Sequence, residues 1–307
     1  MKVLISDPID KQGVELLKAA GLTVDERPGL PPEELVKAIP EYDAIIVRGA
    51  TKVTKDIIEA GSNLKAIGRA GVGLDNVDAA AAKAKNIKVM NTPAATSVTV
   101  AELALGMMLS VARSIPQATQ SLREGKWEKK IFKGFELFGK TLGIIGIGRI
   151  GVELAKRAKA MGMTVIAYDP LVKSSDVAPL VALDELLEKS DFISLHVPKT
   201  EQSKHMLSTA QFAKMKKNAV LVNCARGGVV DEAALYEALT SGKIKAAALD
   251  VFETEPVDKT PEAKALYAKL FALPNVIGTP HVGAQTAEGQ RRAGIGVAEL
   301  VRDALKG

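Results

Sequence analysis

A glycine-rich turn, three histidines and one cysteine carry most of the chemistry that these 307 residues could perform. The turn reads TLGIIGIGRIG over Thr141–Gly151, with Gly146, Gly148 and Gly151 in G-x-G-x-x-G spacing. The first glycine permits a tight strand-to-helix turn, the second lets the backbone approach a pyrophosphate, and the third lets helix and strand pack closely. The helix that follows offers amide hydrogens and the positive end of its dipole to an anion. About twenty residues further on, at the end of the apolar run TVIAYD, stands Asp169. A carboxylate there accepts both ribose hydroxyls of a dinucleotide and repels a 2′-phosphate, which favours NAD over NADP.

Three more segments place reactive side chains just past apolar runs. VNCARGGVVDE puts Arg226 after one such run, ALDVFETEP puts Glu253 and Glu255 beyond Asp250, and TPHVGAQT puts His281 between a strand and a helix. Ligands of open α/β sheets bind beyond the carboxyl ends of the strands. An arginine there can clamp a carboxylate, a histidine can exchange a proton, and a glutamate paired with that histidine raises its pKa. The plainer alternative is a structural Arg–Glu ion pair beside a loop histidine. His196 ends a strand before Pro198 and reads as a packed residue, while His205, in the polar stretch EQSKHM, reads as solvated. Cys224 has no base partner in its own segment and reads as packing; as the single cysteine it excludes an intrachain disulfide and fits a reducing compartment.

The elements that would position these residues follow from patterning. Short apolar runs bounded by Gly, Pro or Asp alternate with helical stretches, as in a parallel sheet covered on both faces. In the first ninety residues the strands expected are 3–5, 44–47, 66–68 and 88–90, with helices over 11–19, 32–38, 55–60 and 77–85. A mostly apolar helix is expected over 96–112, followed by a polar, irregular stretch over 114–140. A second alternation then supplies six strands, 142–147, 164–168, 192–195, 219–223, 246–250 and 276–278, with helices over 150–161, 183–189, 209–215 and 232–241 and a last helix over 285–305. Six strands with crossover helices suit a dinucleotide-binding sheet.

Composition narrows the classes further. Hydrophobic residues make up 47% and charged residues 25%, an ordinary globular balance. The net charge of +5 is mild and the aromatic content of 4% is too low for the stacking platforms of single-strand binders, so no nucleic-acid partner is expected. No apolar run approaches the length of a membrane span, and the opening MKVLISDPID lacks a secretory leader's apolar core, so neither membrane nor export is expected and a cytoplasmic location is.

Together GRAGVGLDNVD, NTP, the glycine turn, NCARGG, DVFETEP and TPHVGAQT resemble the D-isomer-specific 2-hydroxyacid dehydrogenases, in order and over essentially the whole chain. The resemblance implies two doubly wound parallel-sheet domains: a Rossmann-type NAD domain, 95–282, inserted into a flavodoxin-like substrate domain, 1–94 and 283–307. It implies that Arg226, Glu255 and His281 are catalytic. Cofactor contacts carry over to Gly146, Gly148, Arg149, Ile150, Gly151 and Asp169, and also to Cys224, Ala225, Asp250, Gly283 and Ala284. Val72 stands where close relatives have Thr. A phosphorylated 2-hydroxy acid is the implied substrate, met by Arg48 and Arg69 and by Lys129 or Lys130 across a homodimer. The short form, without the regulatory C-terminal domain of longer members, is implied as well. Related acids such as glyoxylate or hydroxypyruvate remain the enzyme alternative, and an NAD-sensing corepressor the non-enzyme one.

Overall fold

The computed structural model describes residues 1–306. They form two compact units, one made of Met1–Thr99 with the chain from Ala284 onward, the other of Val100–Gly283.

The first unit begins β1 (Lys2–Ile5), α1 (Lys11–Ala19), β2 (Thr23–Glu26), α2 (Pro32–Ala38), β3 (Ala44–Val47), α3 (Lys55–Ala60), β4 (Ala66–Arg69), α4 (Ala79–Ala84) and β5 (Lys88–Asn91). Its five strands are all parallel in the order β2-β1-β3-β4-β5, the flavodoxin-like winding. The apolar strands bury both faces. Leu4, Ile45 and Ile67 join one core layer, and Val3, Ile5, Ala44, Ile46 and Ala66 join the other. The strand β2 falls outside the sequence expectation because TVDE is a half-exposed edge strand without an apolar run. Asp10 caps α1 by accepting from the Gln12 amide.

The second unit opens with α5 (Ser97–Arg113), which starts just inside the first unit, and α6 (Ile115–Arg123). It continues β6 (Thr141–Ile145), α7 (Arg149–Ala160), β7 (Thr164–Tyr168), α8 (Leu183–Lys189), β8 (Phe192–Leu195), α9 (Thr209–Lys214), β9 (Val220–Asn223), α10 (Glu232–Thr240), β10 (Ala246–Leu249), α11 (Pro261–Ala272) and β11 (Val276–Gly278). The chain then returns to the first unit as α12 (Ala287–Lys306). The six strands are parallel in the order β11-β10-β9-β8-β6-β7, with an isolated parallel bridge from Ala167 to Leu180 beyond β7. That bridge stands where the third strand of a dinucleotide fold would pair, reduced to a single residue pair.

Two helices correct the sequence expectation. The stretch expected to be irregular contains α6, an amphipathic helix begun by Ile115-Pro116, whose polar Gln and Ser residues mask its period. The gap before β11 holds α11, capped by Thr260 and begun by Pro261. The apolar α5 is packed against its own unit: Val100, Ala101, Ala104, Met107, Met108 and Ala112 belong to the core layer that also holds Leu142, Ile144 and Val222. No single helix among the described residues is long and apolar enough to cross a membrane.

In the first unit α12 lies directly over Gly68 of β4, where a Cβ would sit 2.7 Å from both Val297 Cγ2 and Val301 Cγ2. Branched side chains cannot yield there without moving the helix. Gly68→Val is therefore expected to destabilise the protein by about 1–3 kcal/mol in urea unfolding; a wild-type midpoint would contradict this packing.

Candidate active site

Every strand of a parallel sheet ends at one edge, and there the chain leaves the ladder with unpaired amides. In the second unit side chains meet these amides and thereby shape the loops that carry the reactive residues. At the end of β9, Asn223 Oδ1 accepts from the Ala225 amide at 3.1 Å and its Nδ2 donates to the Arg226 carbonyl at 3.2 Å. Arg226 is half-buried, and its Nη1 donates to the Ala225 carbonyl at 2.7 Å. A side chain at Gly227 would collide with the Phe252 carbonyl, so only glycine lets the loop after β9 pass against the loop after β10.

Asp250, 1% exposed, directly follows β10 and organises the histidine loop. Its Oδ1 accepts from the Thr279 hydroxyl at 2.6 Å and the Val282 amide at 2.8 Å, and its Oδ2 accepts from the Gly283 amide at 2.8 Å. The His281 amide donates to the Asp250 carbonyl at 2.9 Å. These bonds hold His281 at φ 53°, a left-handed conformation that a non-glycine residue adopts only when its surroundings impose it. The ring is thereby presented to Glu255: His281 Nδ1 and Glu255 Oε2 lie 2.7 Å apart, while Glu255 Oε1 accepts from the Phe252 amide at 2.9 Å.

The electrostatics follow from this pair. The hydrogen bond to Glu255 raises the His281 pKa above its usual 6.5, against the effect of burial, and the charges of Glu255 and Asp250 add to the rise. Burial pushes the Glu255 carboxyl up, but the bonds from His281 and Phe252 and the charges of His281 and Arg226 outweigh it, leaving the carboxyl below its ordinary value. The charge of Arg226 thus acts on both members. Nδ1 is committed to Glu255, so Nε2 is the ring atom left to exchange a proton with a ligand.

The glycine turn has the shape a pyrophosphate needs. Gly146 has φ 96°, and a Cβ there would lie 2.8 Å from the His196 carbonyl carbon. A Cβ at Gly151 would strike the Gly146 carbonyl oxygen, while one at Gly148 would meet nothing within 4 Å. Gly148, at the N-cap of α7, offers no side chain to cap the amides that follow it, and of the next two residues Arg149 is exposed and Ile150 half-buried. Asp169 Oδ2 accepts from the Ile147 amide at 3.0 Å, and Oδ1 accepts from Leu171 at 2.9 Å and Val172 at 3.3 Å. The carboxylate is thereby held beside the turn with lone pairs to spare. These residues fit a dinucleotide.

The remaining sequence candidates lie as follows. Cys224 is buried with its thiol 3.6 Å from Met107 Sδ, and burial raises its pKa, so it is no nucleophile. Ala225 spends its amide on Asn223, and Gly283 spends its own on Asp250, while Ala284 opens the returning segment of the first unit. His196 is packed as expected: Nε2 lies 2.9 Å from Ser194 Oγ, and burial lowers its pKa to about 4. His205 is not simply solvated; its Nε2 meets Glu253 Oε1 at 2.6 Å. Lys129 and Lys130 are exposed on the segment after α6.

In the first unit, Arg48 follows β3 on a loop held by buried Asp7, whose carboxylate accepts from the Arg48, Ala50 and Thr51 amides at 2.7, 3.2 and 3.1 Å. Asn76 donates to the Arg48 and Thr51 carbonyls at 3.0 and 2.7 Å. Arg69 ends β4 and lies against Gly71, at φ 145°, where any side chain would collide with the guanidinium. Asn91 Nδ2 donates to the Val72 carbonyl. Asp7, Asn76, Asn91 and Asn223 hold these loops, and the sequence reading missed them; for Asp7, Asn91 and Asn223 the only signal is a polar residue at or near a strand end, and Asn76 carries none.

Comparison with known proteins agrees with this geometry. Residues 105–283 match the family model of the D-isomer specific 2-hydroxyacid dehydrogenase NAD binding domain. A hydroxypyruvate reductase of Thermotoga maritima is 55% identical over 98% of this chain and 97% of its own length. A D-3-phosphoglycerate dehydrogenase of Methanocaldococcus jannaschii is 51% identical over all of this chain, which spans 58% of that relative. Just over half the length of such phosphoglycerate dehydrogenases is covered. The crystal structure of D-lactate dehydrogenase from Aquifex aeolicus complexed with NAD and lactic acid superposes with a TM-score of 0.86 at 32% identity, over 100% of this chain and 96% of that one. With a dinucleotide turn, a Glu–His pair at adjoining strand ends and these relatives, the chain belongs to the D-isomer specific 2-hydroxyacid dehydrogenases.

Proposed function

We propose that this chain oxidises D-3-phosphoglycerate with NAD, with Arg226, Glu255 and His281 as its catalytic residues. The observation that carries the chemistry is the 2.7 Å contact of His281 Nδ1 with Glu255, beside the charge of Arg226. NAD supplies hydride exchange with C2 of the acid. The glycine turn and the N-terminus of α7 would hold its pyrophosphate and Asp169 its ribose hydroxyls. Arg226 pairs with the substrate carboxylate and orients C2. His281 Nε2 takes the hydroxyl proton as the acid is oxidised and returns it to the forming alkoxide in reduction, while Glu255 stabilises the imidazolium. His281→Asn is expected to lower kcat ~10²–10⁴-fold with NADH affinity nearly unchanged, read by steady-state kinetics and fluorescence titration. A kcat within a few-fold of wild type would reject the acid–base role.

The phosphorylated substrate is supported by the curated relatives of that name, 46–51% identical over the whole of this chain, and by two arginines at substrate-domain strand ends, Arg48 and Arg69. The near end-to-end match to a hydroxypyruvate reductase favours a second reading, reduction of an unphosphorylated 2-oxo acid. The readings separate in one assay: kcat/KM for 3-phosphoglycerate is expected to exceed that for D-glycerate by at least ~10²-fold, or ~3 kcal/mol, and Arg69→Ala to erase most of that ratio. Equal rates on the two acids would favour the second reading.

A homodimer is part of this proposal. The exposed apolar residues of the second unit include Ile115, Leu122, Trp127, Ile131 and Phe138, with Trp127 85% exposed, more than a lone surface commonly leaves to water in one stretch. Lys129 and Lys130 sit in that same stretch and would be offered to a partner's substrate. Light scattering at micromolar concentration is expected to give twice the chain mass; a monomer mass would remove this part.

A further inference from the structure

The loop that carries Glu255 is anchored from beneath by a pair of buried side chains. Glu232, at the start of α10, is 4% exposed, and Tyr267, on α11, is likewise 4% exposed. Glu232 Oε1 accepts from the Glu253 amide at 2.9 Å, and Oε2 accepts from the Tyr267 hydroxyl at 2.7 Å. The Tyr267 oxygen in turn accepts from the Thr254 amide at 3.1 Å. Two consecutive amides just before Glu255 are therefore claimed by one carboxylate–phenol unit, while the Phe252 amide is claimed by Glu255 itself. The Tyr267 ring packs edge-on against Phe252, 5.2 Å between centroids, so the same unit also grips the start of the loop.

We propose that Glu232 and Tyr267 are positioning residues for the Glu255–His281 pair, fixing loop 252–255 so that the Glu255 carboxylate meets His281 Nδ1. The inference rests on the assignment of that pair as the acid–base group.

The chemistry makes the unit directional. The Glu253 amide and the Tyr267 hydroxyl both donate, so Glu232 must accept at both oxygens. A glutamine can accept at only one, and its amide hydrogens would meet a phenol oxygen already bound by Thr254, leaving the phenol hydrogen without an acceptor. Phenylalanine at 267 keeps the ring against Phe252 but leaves Glu232 Oε2 and the Thr254 amide without a buried partner. The Glu232 carboxyl is raised to about 7, by burial first and then by the charges of Glu253 and Glu255, against the bonds from Tyr267 and the Glu253 amide that lower it. Tyr267 is raised by burial and by Glu232, which keeps its proton available for donation. The charges of Glu255 and Asp250 raise the His281 pKa and that of Arg226 lowers it. Because Glu232 and Glu255 also act on each other by charge, Tyr267→Phe, which removes no charge, isolates the positioning effect.

The test is the titration of the His281 imidazole by NMR in the full chain, which needs no substrate. Only three histidines are present, and His281→Asn assigns the signal. Glu255→Gln is expected to lower the His281 midpoint by ~1 unit, and Glu232→Gln and Tyr267→Phe each by at least ~0.5 unit. In the Glu255→Gln background, Glu232→Gln should produce no further shift, since the pair it positions is already gone. Tyr267→Phe, which preserves the ring packing, serves if Glu232→Gln does not fold. If Glu255→Gln moves the midpoint and folded Tyr267→Phe or Glu232→Gln does not, the positioning role is overturned and the two residues serve stability alone. If Glu255→Gln itself moves nothing, the pairing is refuted and this inference falls with it.

Discussion

A parallel sheet has to satisfy the backbone amides freed where its strands end, and in this protein acidic and amide side chains do it. Asp7 collects three amides after β3, Asp169 one in the glycine turn and two after β7, and Asp250 two amides and a hydroxyl after β11. Asn223 and Glu232 do the same for the loops after β9 and β10. Leaving such a buried donor unmet costs about 1–3 kcal/mol, so each loop is strongly held to one course. The reactive residues ride on those loops. Where Arg226, Glu255 and His281 stand is therefore decided by residues that need never touch a ligand.

This division of labour explains how a half-exposed pair keeps a perturbed proton affinity. The side chains of His281 and Glu255 are 50% and 36% accessible, enough for water to loosen an unsupported ion pair. Here the imidazole is held by a left-handed backbone pinned to Asp250, and the carboxylate by the Phe252 amide and the anchored loop. Holding the two partners in advance reduces the entropy lost on pairing. Arg226 adds a fixed positive charge that keeps Glu255 ionised while opposing protonation of His281. The balance leaves the His281 pKa above its ordinary value.

Much of this was legible in the sequence because parallel strands buried on both faces write themselves as apolar runs. The six strands of the NAD domain and the glycine turn are read that way, as are the strand-end positions of Arg226, Glu255 and His281. Elements without that pattern stayed hidden: β2 is polar TVDE at a sheet edge, α6 has few large apolar residues among its Gln, Thr and Ser, and α11 carries apolar residues around most of its circumference. The supports stayed hidden for another reason. Glu232 meets an amide 21 residues away, Tyr267 meets Glu232 across 35, and Asp7 meets amides 41 to 44 residues away. Spacing along the chain carries no trace of such contacts. Asp250 shows the same limit: its carboxylate holds the histidine loop across 29 to 33 residues, a contact its place in the sequence does not announce.

The central claim is that a glutamate-paired histidine supplies the proton when a 2-oxo acid is reduced. The pH dependence of kcat/KM for NADH-driven reduction by the wild-type protein tests it most directly, because that ratio reports the free enzyme's ionisations. The account predicts a plateau at acid pH that falls about tenfold per pH unit above a midpoint higher than 6.5, the ordinary histidine value that Glu255 raises. A profile that is flat across neutral pH, or that rises with pH, would contradict it.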